Sequence, residues 1–496
     1  MSGDAWVSSA NGVAVALDGL QCLQVSELAE ELAIAVRRGE RVAALFGAAR
    51  DGGVALVAVL ASDHDGALRI ARSDPLVGAF PSLTLPLPSV HLFEREIFEQ
   101  TGLRPEGHPW LKPVRFPPRA GVPAEIGIAD FYRVEGEEVH EVAVGPVHAG
   151  VIEPGHFRFQ CYGENVLHLE ISLGYQHRGV ERAVIEAPER RRLHYFETLA
   201  GDSTIGHASA YAQLVEGLAM CHVPARAHAL RAVALERERA ANHTGDRGAL
   251  AGDVGFLPTA ALCGRLRGDW LNLSAELCGN RFGRALVRPG GVGFEVDTAR
   301  AQRMVAVIEA AVAEVGAAAD LLWEAPSVMS RFEDVGCVNS EQATEIGLVG
   351  PAARASGLTR DVRTTHPTGI YRVAQVPIST WHSGDVFARA YIRWLEIRRS
   401  AEFALYQLRS LPGGEARTVS GPLAPGRICV SLVEGWRGEI CHVGWTDPAG
   451  RLAGYKIVDP SFHNWMGLAL AMRGQQISDF PLCNKSFNLS YCGFDL

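Results

Sequence analysis

Residues 194–212, HYFETLAGDSTIGHASAYA, place small and polar residues between two segments with helical apolar spacing. Gly201 and Gly206 lie where a packed helix would continue, although a glycine costs about 1 kcal/mol relative to alanine inside a helix. Either a capped turn between two helices or a stretch of backbone that approaches a ligand closely explains the pattern. The polar side chains available for such contacts are those of Asp202, Ser203, Thr204 and His207.

A second group of candidate residues lies in GPVHAGVIEPGHFRF, at 145–159. His148, Glu153 and His156 are spaced around glycine and proline turns, and histidine titrates near neutral pH. One interpretation is that some of these side chains line a cavity. The alternative is a capped hairpin whose histidines face solvent.

The motif HRGVE, at 177–181, places Arg178 close to Glu181. A buried carboxylate near an arginine can have a shifted pKa and pass protons. The alternative is a structural Arg–Glu pair that only joins two elements. The sequence itself does not separate these two hypotheses.

Two later segments also carry charge among apolar residues. In VEGWRGEICHV the charges alternate with apolar positions, as in a strand with one polar face. VDPSFHNW adds an acid and a histidine, and for both segments packing and turn chemistry are favoured over catalysis. The residues concerned are Glu434, Arg437, Glu439, Asp459 and His463.

The ten cysteines are scattered, and none forms a C-x-x-C pair. Cys483 and Cys492 are the closest two, nine residues apart. Self-contained iron–sulfur and structural zinc sites normally use closer pairs. We therefore expect no tightly bound cofactor or cluster in this chain, and a reactive or metal-binding pair at 483 and 492 is the less favoured alternative.

Composition limits the class of protein. The 496 residues are 47% hydrophobic and 21% charged, with a net charge of -9, which is typical of a folded chain with a large core. A nucleic-acid surface would need a basic stripe, so no nucleic-acid partner is expected. No run approaches the ~20 apolar residues of a membrane span, and no secretion signal precedes the first domain, which predicts a cytoplasmic protein.

Periodicity predicts an α+β domain over 1–118, a Pro-, Gly- and acid-rich linker over 119–140, and a larger, mainly helical domain with small β elements over 141–496. Ser26 is the expected cap of the first helix and Gly39 its end. The segment VHLFEREIFEQTG is predicted to form an amphipathic helix closed by Gly102. A strand pair turning at 163–165 and a late hairpin turning at 447–450 are also predicted.

Several of these segments, in this order, carry a family resemblance. VHLFEREIFEQTGLRPEGHPWL is similar to the signature helix of the thirty-kilodalton subunit of respiratory complex I. GPVHAGVIEPGHFRF and GYQHRGVERAVIE resemble the start of the forty-nine-kilodalton subunit of complex I. They are closer still to the large subunit of energy-converting nickel–iron hydrogenases such as that of formate hydrogenlyase, which fuse the two modules. ALRAVALERERAANHTGD, GPAARASG and GDVFARAYIRWLEIRRS extend the resemblance over nearly the whole chain.

The chain departs from the hydrogenase pattern at the metal ligands. In the hydrogenases two C-x-x-C pairs bind nickel and iron, which are held by soft thiolates. The first pair falls here at Ala200 and Ser203, and near the C-terminus only Cys483 and Cys492 remain. The resemblance therefore implies that the cavity is kept and the nickel–iron centre is lost.

The departure from complex I concerns the quinone site. There an aspartate–tyrosine pair and a histidine of the GPxH loop contact the quinone head. The pair falls here at Ala200 and Gly201, so the tyrosine is missing, while His148 matches the first loop histidine. Ile152 stands in the register of the second histidine, and His156 follows four residues later.

The resemblance implies a membrane-associated oxidoreductase complex, peripheral on the inner face of the cell membrane through partner subunits. The implied partners are a small 4Fe–4S subunit like the twenty-kilodalton subunit of complex I, a ferredoxin-like subunit and membrane antiporter-like subunits. Quinone or another small acceptor would receive electrons, possible ion pumping would be coupled to this, and NAD would be a ligand of such a complex. A non-catalytic scaffold subunit is the alternative, and a nickel-dependent hydrogenase is less favoured.

Within this frame the residues take expected roles. Glu181, Arg178 and His148 are the predicted catalytic residues. The predicted cavity or acceptor-binding residues are His156, Glu153, Gly201, Asp202, Ser203 and His207.

Overall fold

The computed structural model of the protein describes residues 5–117, 126–127 and 129–496. In its N-terminal part, strands β1, β6, β5 and β4 lie side by side in that order, and β3 joins β6 in parallel. Helices α1 (Val25–Arg37) and α2 (His91–Thr101) pack on this sheet. The strands are β1 (Val7–Ala10), β2 (Val15–Ala16), β3 (Cys22–Leu23), β4 (Arg41–Arg50), β5 (Gly53–Ala61), β6 (Ala67–Ser73), β7 (Ala79–Pro81) and β8 (Arg104–Glu106).

The ends of the two helices follow local chemistry. The Ser26 cap was wrong: the cap is Gln24, two residues earlier, and its N–H donates to the Glu27 carboxylate at 3.0 Å. An N3 glutamate that satisfies the cap backbone starts a helix without serine. Gly39 and Gly102 follow the two helices with φ of +92° and +80°, as predicted, since glycine adopts the left-handed conformation without strain.

Next comes a three-stranded sheet in the order β11, β10, β9. The predicted turn over 163–165 is confirmed, because β10 (His156–Tyr162) and β11 (Asn165–Ser172) pair on either side of it. Strand β9 (Val139–Val144) begins inside the predicted linker. Residues 118–125 and 128 of this region lie outside the described residues, and the proposed domain boundaries stay predictions.

Helices dominate the larger part of the chain, which confirms the predicted fold class. The long helix α6 lies between α7 and α13, and α8 packs on both of these. A short strand pair, β12 (Val287–Arg288) and β13 (Gly291–Val292), follows α7. The helices are α3 (Val180–Glu186), α4 (Glu189–Glu197), α5 (Thr204–Leu218), α6 (Ala225–Asp253), α7 (Leu257–Cys278), α8 (Thr298–Trp323), α9 (Pro326–Phe332), α10 (Ser340–Glu345), α11 (Gly350–Ala355), α12 (Val362–Thr365) and α13 (Val386–Arg409).

A second antiparallel sheet closes the molecule. Strands β14 (Arg427–Gly435), β15 (Gly438–Thr446) and β16 (Leu452–Val458) form a meander, and β2 from the N-terminal part pairs with β14. The turn at 447–450 is confirmed. The single strand expected over 433–443 was wrong, because Trp436 and Arg437 form a hairpin turn whose second glycine, Gly438, has a φ of +137°.

The C-terminal tail folds onto this sheet. Its last residues are helical. Its helices are α14 (Pro460–Ala471), α15 (Phe480–Phe487) and α16 (Tyr491–Asp495). No helix of the described residues is long and apolar enough to cross a membrane.

Helix α6 is buried on most sides although it carries many charges. Its buried side chains are held by ion pairs: Glu236 with Arg363 at 2.9 Å, and Asp246 with Arg393 at 2.8 Å. A buried charge is tolerated only when it is paired and hydrogen-bonded. These ion pairs therefore hold α6 in place against α5, which follows the 200–203 segment.

Candidate functional site

The stretch between α4 and α5 is a turn, which is one of the two interpretations that the glycine pattern left open. Helix α4 ends at Glu197 and α5 begins at Thr204. The N–H of Ser203 donates to the Ala200 carbonyl at 2.9 Å, which closes the turn. Gly201 is exposed, and a Cβ placed on it would have no atom within 4 Å. The turn therefore presents bare backbone to open space.

Arg178 fixes this turn to the C-terminal helix. Its guanidinium donates to the carbonyls of Thr198 at 3.0 Å, Leu199 at 2.8 Å and Cys492 at 3.1 Å. Its own N–H donates to the carbonyl of Leu496 at 2.8 Å. A planar guanidinium suits several carbonyls at once, so Arg178 acts here as a clamp between the turn and the chain end.

Cys492 and Glu153 meet at the same turn. The Cys492 thiol contacts the Glu153 carboxylate and the N–H of Gly201, and burial together with the Glu153 charge raises the pKa of this thiol to about 12. Ser490 Oγ lies 3.4 Å from the sulfur. At neutral pH the group is thus a thiol, whereas metal ligation uses the thiolate.

On the other side of the turn, Asp202 forms a two-pronged ion pair with Arg437, at 2.5 and 2.8 Å. Arg437 Nη1 also lies 3.3 Å from Ser203 Oγ. Burial works against the charge of Arg437, but Asp202 more than offsets it and raises the pKa of the guanidinium. The Asp202 carbonyl accepts from Trp436 and Asn242. Both predicted polar residues are therefore engaged by the hairpin turn of β14 and β15.

Beneath the turn lies a buried hydrogen-bonded line of four side chains. His207 Nε2 is 3.0 Å from Asp459 Oδ2, and His207 Nδ1 is 3.1 Å from His442 Nε2. His442 Nδ1 is 2.9 Å from the Tyr455 hydroxyl. Imidazoles in such a line can accept a proton at one nitrogen and release one at the other. The line joins α5 to β15, β16 and the cap of α14.

The electrostatics of this line differ at its two ends. Burial alone would raise the pKa of Asp459, but the hydrogen bond and charge of His207 and the charge of Arg437 hold that pKa below its usual value. Burial lowers the pKa of His442 and raises that of Tyr455. The charge at neutral pH therefore resides at the Asp459 end, which is the end nearer Arg437 and the turn.

Glu238 adds a proton-carrying group on the opposite flank of the turn. Its carboxyl accepts from the N–H groups of Ile205 at 2.6 Å and Gly206 at 3.1 Å, at the start of α5. Burial, reinforced by the charge of Asp202, raises the pKa of Glu238 to about 8, although the two N–H groups oppose this. Glu238 is not among the residues predicted from the sequence, because nothing in its own segment distinguishes it from a surface acid.

Glu181 does not pair with Arg178. Its carboxylate lies 3.0 Å from Lys456 Nζ, which also contacts both oxygens of Glu96 at 2.6 Å, and Glu96 is paired with Arg115. The same Glu181 group accepts from the N–H of Ile457 at 2.9 Å. Glu181 thus belongs to an ion-pair seam that joins α2 of the N-terminal part to α3 and β16. The salt bridges of Glu96 therefore form within this chain.

The two loop histidines are engaged by their own segment. His148 Nε2 lies 2.9 Å from the Gly155 carbonyl, and His156 Nδ1 lies 3.4 Å from the Gly145 carbonyl. Burial lowers the pKa of His156, and its Nε2 is buried without a hydrogen bond. Glu153 of this loop is linked to the turn through the Cys492 thiol, which contacts both Glu153 and the N–H of Gly201. The roles assigned to His148 and His156 stay predictions.

The thiolate set of a nickel–iron centre does not fit these residues. Ala200 offers no ligand atom, Ser203 Oγ lies near Arg437, and the Cys492 thiol beside the turn has a raised pKa. Cys483 lies elsewhere, against Gly336 and Arg389. The one group of three metal-capable side chains among the described residues, Asp334, Cys337 and Asp385, lies at the start of α13. We therefore derive no step through a nickel–iron centre.

Comparison with known proteins agrees with this architecture. The family described as the 49 Kd subunit of the respiratory-chain NADH dehydrogenase matches residues 253–422, and that of the 30 Kd subunit matches residues 24–124. The chain is 30% identical to an NADH-quinone oxidoreductase subunit of Ehrlichia chaffeensis, over 57% of this chain and 72% of the relative.

Hydrogenase subunits are also among its relatives. The chain is 28% identical to the carbon monoxide-induced hydrogenase of Rhodospirillum rubrum, over 70% of this chain and 97% of the relative. It is 28% identical to formate hydrogenlyase subunit 5 of Escherichia coli, over 83% of this chain and 76% of the relative. The fold and site thus define a subunit of a complex I- or hydrogenase-type oxidoreductase. The chain belongs to the family of the 49 Kd subunit of respiratory-chain NADH dehydrogenase, with a region of the 30 Kd subunit family fused before it.

Proposed function

We propose that the chain is the acceptor-site subunit of a membrane-associated complex, where electrons from a partner iron–sulfur cluster reduce a quinone or another small acceptor. The observation that carries the proposal is the combination at the turn: bare backbone at Gly201, with Glu238 and the line from Asp459 through His207 directly beneath it. Proton carriers are needed where a two-electron acceptor also takes up two protons.

The partners follow from the same placement. Gly201 is exposed, and Cys492 and Glu153 are half-buried, so a second subunit is needed to enclose an acceptor there. A small subunit with a 4Fe–4S cluster fits that role, with a ferredoxin-like subunit as its electron source. Antiporter-like membrane subunits would anchor the assembly at the inner face of the membrane and couple it to ion movement. Any NAD chemistry would belong to other subunits.

Within this chain, two arginines would hold the turn in place and other residues would transfer protons. Arg178 holds the turn against the C-terminal helix, and Arg437 holds Asp202. Protons would pass to the acceptor from Glu238 on one flank and from His207, which the Asp459 carboxylate orients, on the other. Each quinone would gain two electrons from the partner and two protons, giving the quinol. The carboxyl and imidazole groups would then be reprotonated from solvent.

A second candidate is a non-catalytic scaffold subunit. It is favoured by the pairing of Asp202 with Arg437 and by the placement of Glu181 in the seam with Lys456, because both leave a predicted functional carboxylate neutralised. In that case the turn would serve only as a docking surface.

The test is made on the complex purified through a tag on this chain. Nickel and iron are measured by mass spectrometry, and reduction of decylubiquinone and evolution of hydrogen are followed with reduced methyl viologen as donor. We expect iron without nickel, no hydrogen, and quinone reduction that His207→Gln lowers at least tenfold. The matched control, His64→Gln, changes an exposed histidine.

The other outcomes decide between the alternatives. Nickel near one per complex would restore a hydrogenase and overturn the proposal. An intact complex in which His207→Gln and Gly201→Trp leave every electron-transfer rate unchanged would establish the scaffold.

A further inference from the structure

A cavity of about 720 Å³ lies on the face of α5 opposite the histidine line. Its walls come from α5, the start of α6, the 362–372 segment, β14 and the N-terminal residues 11–14. The volume falls in the range of small-molecule sites. None of the residues proposed above to hold or protonate an acceptor lines it, so what it binds is independent of the proposed function.

The cavity is framed by fixed contacts between distant parts of the chain. The buried Asn11 side chain donates to the carbonyls of His366 at 2.8 Å and Leu432 at 2.9 Å, and accepts from Gln213 at 2.8 Å. A Cβ on Gly217 would lie 2.3 Å from the Gly12 carbonyl oxygen. The N-terminal segment is therefore locked against α5 and β14, and the cavity is a formed feature of the fold.

The charges in the walls are already neutralised. Arg231 and Glu216 form a two-pronged pair at 3.0 and 2.5 Å, and the Glu216 carboxylate also accepts from the N–H of Gly290. Glu434 is paired with Arg354. The rest of the buried wall is mainly apolar, with Leu235 and Leu432 as examples. A ligand body that fits these walls is apolar and uncharged.

The rim carries a cationic group instead. Arg372 is exposed, and its Nε donates to the Pro367 carbonyl at 3.3 Å, but it enters no ion pair among the described residues. The exposed His222 lies on the same rim. Burial, together with the charges of Arg231 and Arg372, lowers the pKa of His228 to about 4, so this imidazole is uncharged at neutral pH. Inside, Ser209 Oγ is buried without a hydrogen-bond partner.

We propose that this cavity binds a small amphipathic organic anion. Its apolar body would lie between Leu235 and Leu432, its anionic group would face the Arg372 guanidinium, and a polar atom could bond to Ser209 Oγ. A charge-assisted hydrogen bond to guanidinium is stronger than a neutral one. A neutral ring compound such as a quinone has no anionic group to contact the Arg372 guanidinium and should bind more weakly.

The test uses 1-anilinonaphthalene-8-sulfonate, a fluorescent amphipathic anion, with the purified full-length chain. We expect one saturable site, about tenfold weaker binding in Arg372→Gln, and loss of the site in Ser209→Leu, which fills the cavity. Arg37→Gln removes an exposed arginine of α1 and should leave binding unchanged. Naphthalene-1-sulfonate should displace the probe, and 1-naphthol at equal concentration should not.

A second cavity-filling variant is available, and two kinds of outcome would overturn the proposal. If Ser209→Leu does not fold, Val13→Trp fills the cavity from its exposed rim, where a large side chain can be accommodated. Binding that survives both filling variants, or that Arg372→Gln leaves unchanged, would overturn the site. Equal displacement by 1-naphthol would overturn the anionic ligand class.

Discussion

Glu96 and Glu238 are both withdrawn from solvent, but their surroundings move their pKa values in opposite directions. Glu96 lies in the seam, where Lys456 and Arg115 outweigh burial and lower its pKa. Glu238 lies beside the turn, where burial dominates and raises its pKa to about 8. The seam thus holds ionised carboxylates in fixed pairs, whereas the turn holds a carboxyl that can exchange a proton near neutral pH.

This difference separates structural from functional use of acids in one chain. A carboxylate in a buried ion pair cannot give up its charge without leaving its partner unpaired, which costs several kcal/mol. A carboxyl that only backbone N–H groups contact has no such partner. Glu181, which the HRGVE motif singled out, belongs with Glu96 through Lys456. Glu238, which no motif singled out, has the properties expected of a proton carrier.

Removal of the shared cation should have the largest effect. Lys456→Met leaves the carboxylates of Glu96 and Glu181 facing each other across the seam, and breaking a buried pair in this way costs about 3–5 kcal/mol. Chemical denaturation of the full-length chain should show this loss in the free energy of unfolding. Arg182→Gln, which breaks an exposed pair with Glu186 on the same helix, should leave the midpoint unchanged. If Lys456→Met lowered the free energy of unfolding by less than about 1 kcal/mol, the ion-pair seam would not stabilise the fold.

The pH dependence of stability should identify Glu238. Because its pKa is about 8 in the folded chain and near 4.5 when unfolded, the folded state binds the extra proton between these values. The free energy of unfolding should therefore fall as pH rises from 5 to 8, by about 1 kcal/mol per pH unit.

The matched variant Glu238→Gln stays uncharged and should flatten that dependence. Denaturation midpoints at pH 5, 6, 7 and 8 for both chains provide the measurement. Glu96→Gln serves as the comparison within the seam, since the lowered pKa of Glu96 makes its contribution constant above about pH 5. Equal slopes in wild type and Glu238→Gln would show that Glu238 is ionised in the folded chain.

The histidine line should show coupling of intermediate size. Asp459→Asn and His207→Gln each remove a buried hydrogen-bonding group and should cost about 1–3 kcal/mol. Because the two side chains are in direct contact, the double variant should cost less than the sum, with an interaction energy of about 0.5–3 kcal/mol. A double-variant cycle by chemical denaturation measures this. Strict additivity would mean that the contact between His207 and Asp459 contributes nothing to stability.

The sequence allowed prediction of the features that depend on local spacing. The turn at 200–203 followed from the cost of glycine inside a helix, and α2 and its end at Gly102 followed from apolar periodicity. Family motifs gave the order of the two modules. The 433–443 segment was misjudged because alternation outweighed the two glycines, Gly435 and Gly438, that flank the hairpin turn.

Contacts between distant residues could not be predicted in this way. His207 meets Asp459 and His442 across 252 and 235 positions, and no local pattern links them. The sequence suggested that Glu181 pairs with its neighbour Arg178, but its partner in the structure is Lys456, 275 positions away. The cations packed around a buried acid decide whether it is ionised or protonated, and those cations come from distant parts of the chain.

The smallest effect should come from Gly201→Ala. Gly201 is exposed, a Cβ there would meet nothing within 4 Å, and its φ lies outside the left-handed region. The added methyl group should change the free energy of unfolding by less than about 0.5 kcal/mol. Gly217 lies near the C-terminal end of α5. Gly217→Ala places a Cβ 2.3 Å from the Gly12 carbonyl oxygen and should lower the free energy of unfolding by at least about 1 kcal/mol.

Gly201→Trp extends the same comparison from stability to function. Because the space over the turn is open in this chain, the indole should leave the midpoint of unfolding nearly unchanged. In the assembled complex it should lower acceptor reduction at least tenfold, since it would occupy the space where a partner or acceptor approaches the backbone. If Gly201→Ala itself lost more than about 1 kcal/mol, the turn would be packed like the seam, and the contrast between the two regions would not hold.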